Sequence, residues 1–219
     1  MLSASRKGLA SLLAVALWSA QAVAQVPGLP VLQNAFSNPG VAFAANLGGG
    51  SGQSFYGAAA AWGLRSGAFT LSGAAGAQRA NDASRGAYGA RLAARLWSSA
   101  GGSLGLGGFA GFGGAPRTRT GSVVTNPAIA TIPVGLSAAY RRGLGRTRGL
   151  SAYVSPLYRW TRIDSGTVLT NGTIRFAAGL DFSISSSIGV TFGGEFGGST
   201  GANSGVLGGA ISFVPGGRR

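Results

Sequence analysis

The chain has no cysteine, no histidine and only four acidic residues among its 219. Without cysteine there is neither a disulfide framework nor thiolate chemistry, so hydrogen bonds and packing alone must hold the fold. Without histidine or cysteine the usual hydrolytic arrangements lose their base or their nucleophile. Metal centres built on imidazole or thiolate are excluded on the same ground. The four acids, Asp82, Asp164, Asp181 and Glu195, are too scattered for an oxygen cage. The expectation is a non-enzymatic chain with no cofactor and no metal. Charge of either sign is scarce at 10% of residues, against about a quarter in a soluble domain, so this surface suits water poorly. From Gln25 onward the balance is sixteen Arg and no Lys against those four acids. Such a balance alone would admit a nucleic-acid partner, but no motif of that kind is present and the start of the chain points to export.

Long hydrophobic runs are also missing, with one exception. Arg6 and Lys7, the apolar run Leu9 to Trp18 and the small triplet Ala22-Val23-Ala24 make the three parts of a secretory signal. Cleavage is expected after Ala24. A permanent helical anchor would need about 20 apolar residues and would not end on a small-residue exit. No cysteine follows the run, so the lipoprotein route is not indicated.

Glycine, in contrast, is plentiful. Gly (41) and Pro (8) together stay just under the share at which low-complexity disorder becomes the default, roughly 25 to 30%. The residues between them decide for order. Strand-like segments with period-2 alternation recur at Val41–Gly48, Phe55–Leu64, Ala68–Gln78, Ala87–Leu96, Leu104–Phe112, Ile132–Arg141, Leu150–Trp160, Thr173–Ile184, Ile188–Phe196 and Gly205–Val214. Most are close to the 9 to 11 residues with which a tilted strand crosses a bilayer, and none carries an apolar stripe at helical spacing. The clearest sets Ile174, Phe176, Ala178, Leu180, Phe182 and Ile184 against Thr173, Arg175, Ala177, Gly179, Asp181 and Ser183. A soluble sandwich also alternates, so two further tests matter.

The first is connection length. Links after odd-numbered segments (Gly49–Ser54, Arg79–Gly86, Gly113–Thr131, Thr161–Gly172, Gly197–Ser204) are mostly longer than those after even ones (Arg65–Gly67, Trp97–Ser103, Arg142–Gly149, Ser185–Ser187). Long loops outside, short periplasmic turns and an even strand count are the pattern of a bacterial barrel. The second is where outward aromatics fall. Trp62, Phe69, Tyr140, Phe182 and Phe213 land at the turn ends, and Tyr56, Tyr88, Phe112, Tyr158, Trp160, Phe176 and Phe196 at the loop ends. Between these girdles the outward positions are aliphatic or small: Ala58, Leu71, Leu92, Leu106, Leu136, Val154, Leu180 and Val190. Lipid offers no partner to a backbone N–H or C=O, so such a sheet must close on itself. Pro133 and Pro156 each delete a ladder donor, and a bulge or a local irregularity is expected at Pro156.

Signal, strand rhythm, loop asymmetry and girdles together resemble the small outer-membrane β-barrel proteins of double-membraned bacteria. The resemblance implies an all-β, closed, antiparallel up-and-down transmembrane barrel of ten strands, or eight if the first pair is not integral. It divides the chain into a signal (1–24), an N-terminal periplasmic segment (25–40), the barrel (41–214) and a tail (215–219). As partners it implies outer-membrane lipid and the barrel assembly machinery. That machinery reads an aromatic at the end of the last strand, for which Phe213 is the nearest match. Barrel enzymes of this membrane rely on His with Ser or Asp, which this chain lacks.

Inside such a barrel the alternation places Arg91, Arg95, Arg141, Arg159, Arg175, Asp181, Glu195 and Tyr153 among Gly, Ala, Ser and Thr. A tight turn at Ser185–Ser187 sets Ala177 opposite Glu195 and Arg175 on the diagonal. A loop centred near Thr167 would set Arg159 opposite Arg175 and Tyr153 opposite Asp181. The expectation is an Arg159/Arg175/Glu195 cluster near the outer mouth, with Tyr153/Asp181 below it. These charges either plug the lumen as structural ion pairs or line a narrow, anion-favouring path. Arg79, Arg85, Arg117, Arg119 and Arg162 are expected in outward loops, facing either solvent or glycolipid phosphates. A soluble secreted β-protein is the third reading.

Overall fold

A computed structural model describes residues 40–50, 53–64, 67–80, 83–121, 123–145, 148–197 and 205–215. The signal segment, the cleavage point after Ala24, residues 25–39 and residues 216–219 of the tail lie outside the described residues. The strands are β1 (Gly40–Gly50), β2 (Gln53–Gly63), β3 (Phe69–Ala80), β4 (Ala83–Ser98), β5 (Leu104–Ala115), β6 (Thr118–Thr120), β7 (Val123–Asn126), β8 (Ala128–Gly143), β9 (Gly149–Asp164), β10 (Val168–Ser183), β11 (Ile188–Phe196) and β12 (Val206–Phe213). Ten of them close into one antiparallel barrel in the order β1-β12-β11-β10-β9-β8-β5-β4-β3-β2. Each of the ten expected segments falls on one barrel strand. The seam is complete: β1 pairs with β12 from Phe43↔Phe213 to Gly49↔Leu207.

The alternation explains the wall. Leu71, Leu92, Leu136, Val154, Leu180, Phe192 and Ile211 all point outward and are exposed at mid-strand. Their neighbours on the same strands, such as Ser72, Ser137, Tyr153, Ser155 and Ala210, are buried inside. An outer face this apolar all round, on a sheet with no free edge, is the wall of a membrane-spanning barrel rather than of a soluble one. All twelve girdle residues face outward, and all but the half-buried Trp160 are exposed. Phe43, which meets Phe213 in register, extends the turn-side ring.

Four expectations are corrected. First, the connections on the outer side are shorter than the sequence suggested. β1 and β2 stay paired to Gly50↔Gln53, β3 and β4 to Ala80↔Ala83, and β9 and β10 to Asp164↔Val168. Polar residues there carry the ladder past the lipid-facing belt, and β4, β8, β9 and β10 reach 16 residues each. Only the β5–β8 and β11–β12 connections remain long, and the former folds its own two-stranded hairpin, β6–β7.

Second, the β9–β10 turn is centred on Gly166, not Thr167. Asp164 Oδ1 accepts from Gly166 N–H at 3.1 Å, and Gly166 has φ +118°, a conformation open to glycine. The turn geometry thus fixes the register, and Arg159 lies opposite Thr173 while Tyr153 lies opposite Gly179.

Third, of the bulge or local irregularity expected at Pro156 the structure has the irregularity, a gap in one ladder, and no bulge. Pro156 pairs with Phe176 on β10, but the β8–β9 ladder skips from Gly135↔Leu157 to Ala138↔Val154 without changing register. Pro133 produces the same gap against β5, between Ala110↔Val134 and Gly113↔Thr131. A missing N–H silences pairing toward one neighbour only, and the other ladder holds the strand in line. Among the described residues the one bulge in the barrel wall sits on β4 between Arg95 and Trp97.

Fourth, that bulge keeps Trp97 in β4 rather than in a turn. It faces outward opposite Leu106 and joins the turn-side girdle.

Candidate functional site: the barrel lumen

The sharpest feature of the interior is a three-residue ion cluster. β9, β10 and β11 are consecutive in the wall, so alternate residues of each aim at the same part of the lumen. Ala177 stands opposite Glu195 as the turn at Ser185–Ser187 requires, which leaves Arg175 on the diagonal. Arg175 Nε donates to Glu195 Oε1 at 2.5 Å, and Arg159 Nη2 donates to the same oxygen. The three side chains are 4%, 2% and 5% exposed for Arg175, Arg159 and Glu195. The cluster is therefore dry and carries a net single positive charge. The two-residue change in the β9–β10 register does not disperse it, because an arginine side chain spans that offset.

One layer further in, Arg91 on β4 lies over the ring of Phe109, 5.9 Å from its centroid, a cation–π distance. Tyr153 and Asp181 are its electrostatic neighbours. Tyr153 and Asp181 themselves lie on a diagonal, with Asp181 opposite Ser151 and Thr191. The Tyr153 ring covers Gly179 and Gly193: a Cβ on Gly193 would come within 2.6 Å of the Tyr153 hydroxyl. Phe109 and Leu157 cover Gly135 in the same way, each 2.7 Å from where its Cβ would stand. Glycine is needed at these places because large inward side chains lie flat on the neighbouring strands. Arg95 and Arg141 are the remaining expected lumen residues, and both are exposed at the turn-side opening. Arg141 Nε donates to Gly102 O at 2.8 Å.

Arg85 departs from expectation. It is not a surface-loop cation: it faces the lumen mouth, 5% exposed. Its Nε donates to Gln78 Oε1 at 3.0 Å, and Gln78 Nε2 donates on to Gln53 Oε1 at 2.8 Å. Its Nη1 donates to the carbonyls of both Pro116 and Pro127. One guanidinium thus fastens the two ends of the β6–β7 excursion. Arg117, also expected to face outward freely, is ion-paired with Asp164 at the tip of β9. Arg79, Arg119 and Arg162 are exposed as expected.

The bulky inward groups are unevenly distributed. Arg91, Phe109, Tyr153, Leu157, Arg159, Arg175 and Glu195 all rise from the β4-to-β11 half. The facing wall is lined mostly by small residues, Ala42 and Ala44 on β1, Gly57, Ala59 and Ala61 on β2, Ser72 and Ala74 on β3, and Gly208, Ala210 and Ser212 on β12, with Asn46, Phe55, Gln78 and Val206 the larger ones. At the outer mouth Phe55, Ala87 and Ala115 form a separate apolar cluster. Below it Phe109, Leu157 and Ala177 pack together. Asn46 is buried, and its amide has no hydrogen-bond partner among the described residues.

No family model and no curated protein matches this chain. Among solved structures it is similar to a bacterial polysaccharide outer membrane secretin, with a TM-score of 0.47 and 14% identity over 74% of this chain and 56% of that one. It is similar also to the translocator domain of autotransporter NalP from Neisseria meningitidis, with a TM-score of 0.48 and 15% identity over 83% of this chain and 88% of that one. The chain spans little more than half the length of the secretin. By its own strand pairing and outer wall, it folds as a closed ten-stranded antiparallel β-barrel built to span a membrane.

Proposed function

We propose that this chain is a non-enzymatic outer-membrane barrel, exported and cleaved after Ala24, whose lumen is closed by its own side chains. The observation that carries this reading is the dry Arg159–Glu195–Arg175 cluster, with the Phe109–Leu157–Ala177 layer beneath it. A permeating ion would have to break buried ion pairs, and removing one partner of such a pair costs about 3–5 kcal/mol. The role that follows is structural, as a stable envelope component that presents the β6–β7 hairpin and its basic rim. Recording from the purified, refolded protein in a planar bilayer tests it. A flat baseline is expected, and discrete current steps overturn the closed reading.

One observation favours a second reading, a narrow anion-preferring pore. Inward arginines (Arg85, Arg91, Arg95, Arg141, Arg159, Arg175) outnumber the inward acids Asp181 and Glu195, the charge pattern of an anion-selective lining. Current steps whose reversal potential follows chloride in a salt gradient would support it.

Placement in the membrane has its own test. Alkaline carbonate extraction leaves an integral barrel in the membrane pellet and releases a soluble secreted β-protein.

A further inference from the structure

We propose that the β6–β7 hairpin is a hinged lid over the outer mouth of the barrel, pivoting at Pro116 and Pro127 about the Arg85 side chain and latched by the Arg117–Asp164 ion pair. The inference goes beyond the closed-lumen reading and does not rest on it, because the mouth above a plug can be covered or bare.

The hinge lies in the ladder. β5 and β8 are paired as far as Ala115↔Ile129, and β6 and β7 resume at Thr118↔Asn126 in the same register. The lapse falls at Pro116 and Pro127, which have no N–H to give to a cross-strand partner. Two halves of one long hairpin are thus joined where the backbone holds no ladder bond, and there it can bend.

The bend is inward. Arg85 of β4 faces the lumen, yet its Nη1 donates to the carbonyl of Pro127, just before β8 and past the intervening β5. A side chain inside the barrel makes that contact only if the entry to β8 leans over the opening. Burial agrees. Gln78 and Arg85 stand near the end of β3 and the start of β4, where an open mouth would wet them, but they are 3% and 5% exposed. Phe55, Ala87 and Ala115 are as dry beside them. So is Asn126 of the hairpin itself, whose Nδ2 donates to Thr118 Oγ1 at 3.1 Å.

The two fasteners differ in kind. Arg85 is buried and donates to neutral oxygens, those of Gln78, Pro116 and Pro127, so salt hardly reaches these bonds. Arg117 and Asp164 are a partly exposed pair whose attraction salt screens. The first is a pivot and the second a catch. With the catch released, the hairpin lifts from the Phe55–Ala87–Ala115 floor while Arg85 still holds its base.

The absence of cysteine makes a single introduced thiol a clean reporter. A charged maleimide is added to the purified, refolded protein in detergent micelles. Labelling is followed at A87C under the lid, at V123C on its exposed tip and at A177C, fully buried below the ion cluster. With no other change A87C is expected to react roughly tenfold or more slowly than V123C. Asp164→Asn removes the charge but keeps an oxygen for the Gly166 N–H. It should raise the A87C rate relative to V123C about two- to fivefold, as loss of a partly exposed ion pair implies. Arg117→Gln should do as much or more, since it also loses the bond to the Asp164 carbonyl, and the double variant no more than Arg117→Gln alone. A177C should stay unlabelled throughout. A87C reacting as fast as V123C from the start shows a bare mouth and overturns the proposal. So does a rate unchanged in both D164N and R117Q, or two effects that simply add. Labelling of A177C in step with A87C would mean general loosening of the barrel and overturns the local hinge. The closed-lumen reading is scored separately, by current, because lifting the lid leaves the ion cluster in place.

Discussion

Arg175 Nε reaches Glu195 Oε1 at 2.5 Å across the β10–β11 pair, although the residue directly opposite Glu195 is Ala177. A directly opposed pair would aim both side chains straight into the lumen. The diagonal leaves room on the same carboxylate oxygen for Arg159 from β9. Glu195 is therefore shared, and the three residues do not contribute equally.

Removing Glu195 leaves two buried guanidiniums facing one another, whereas removing Arg159 leaves a neutral pair. Glu195→Ala is expected to destabilise the folded barrel by about 3–5 kcal/mol, and Arg159→Met by clearly less. Urea unfolding in detergent micelles gives both numbers. Equal costs for the two variants would mean that the oxygen is not shared in solution.

Tyr153 and Gly193 form a second testable pair. Gly193→Ala puts a methyl group against the Tyr153 hydroxyl and should cost about 1–3 kcal/mol as overpacking. Tyr153→Phe removes the clashing atom, so the double variant should recover most of that loss. A double-mutant cycle with no coupling would show that the ring does not lie on Gly193.

Arg85 holds both ends of the β6–β7 excursion. Arg85→Met keeps the length and apolar stem of the side chain but removes every donor. Cleavage by a protease within Thr118–Asn126 should become many-fold faster while the barrel strands remain protected. Unchanged digestion would assign the excursion's order to Arg117–Asp164 alone.

The outer wall gives the most direct check on the solvent. Leu180→Arg or Val154→Arg places a cation at mid-belt, with an expected cost of about 2–4 kcal/mol. A surface arginine on a soluble barrel would be nearly neutral. Refolding yield and unfolding free energy in lipid vesicles report the difference.

Much of this architecture was legible because lipid imposes a two-residue code on every strand. Leu180 and Phe182 against Gly179 and Asp181 can be assigned to faces without any partner in view. The Ala177–Glu195 register followed from a tight turn, where local geometry leaves little choice. What could not be read depended on pairing energies spread over two strands. Trp97 looks like the start of a turn after Leu96, and only the match of β4 with β5 makes the two a bulge within the wall. The offset in β9–β10 turned on one glycine conformation at Gly166. Arg85 looked like a loop charge because polar residues near glycines normally face solvent. That its side chain would meet two carbonyls 31 and 42 residues away is a property of the closed barrel. The β6–β7 hairpin carries so few apolar residues that alternation gave no sign of it.

The unequal sharing of the interior also bears on how the barrel is made. The ion cluster belongs to β9, β10 and β11, which follow one another in the chain, so it can form early through two successive hairpins. The first and last strands carry mostly small inward residues, Ala42, Ala44, Ala210 and Ser212, with Asn46 and Val206 the larger ones. Circularisation can then be left to the end of assembly, when two slender edges zip together by backbone pairing and no side chain has to be threaded past another.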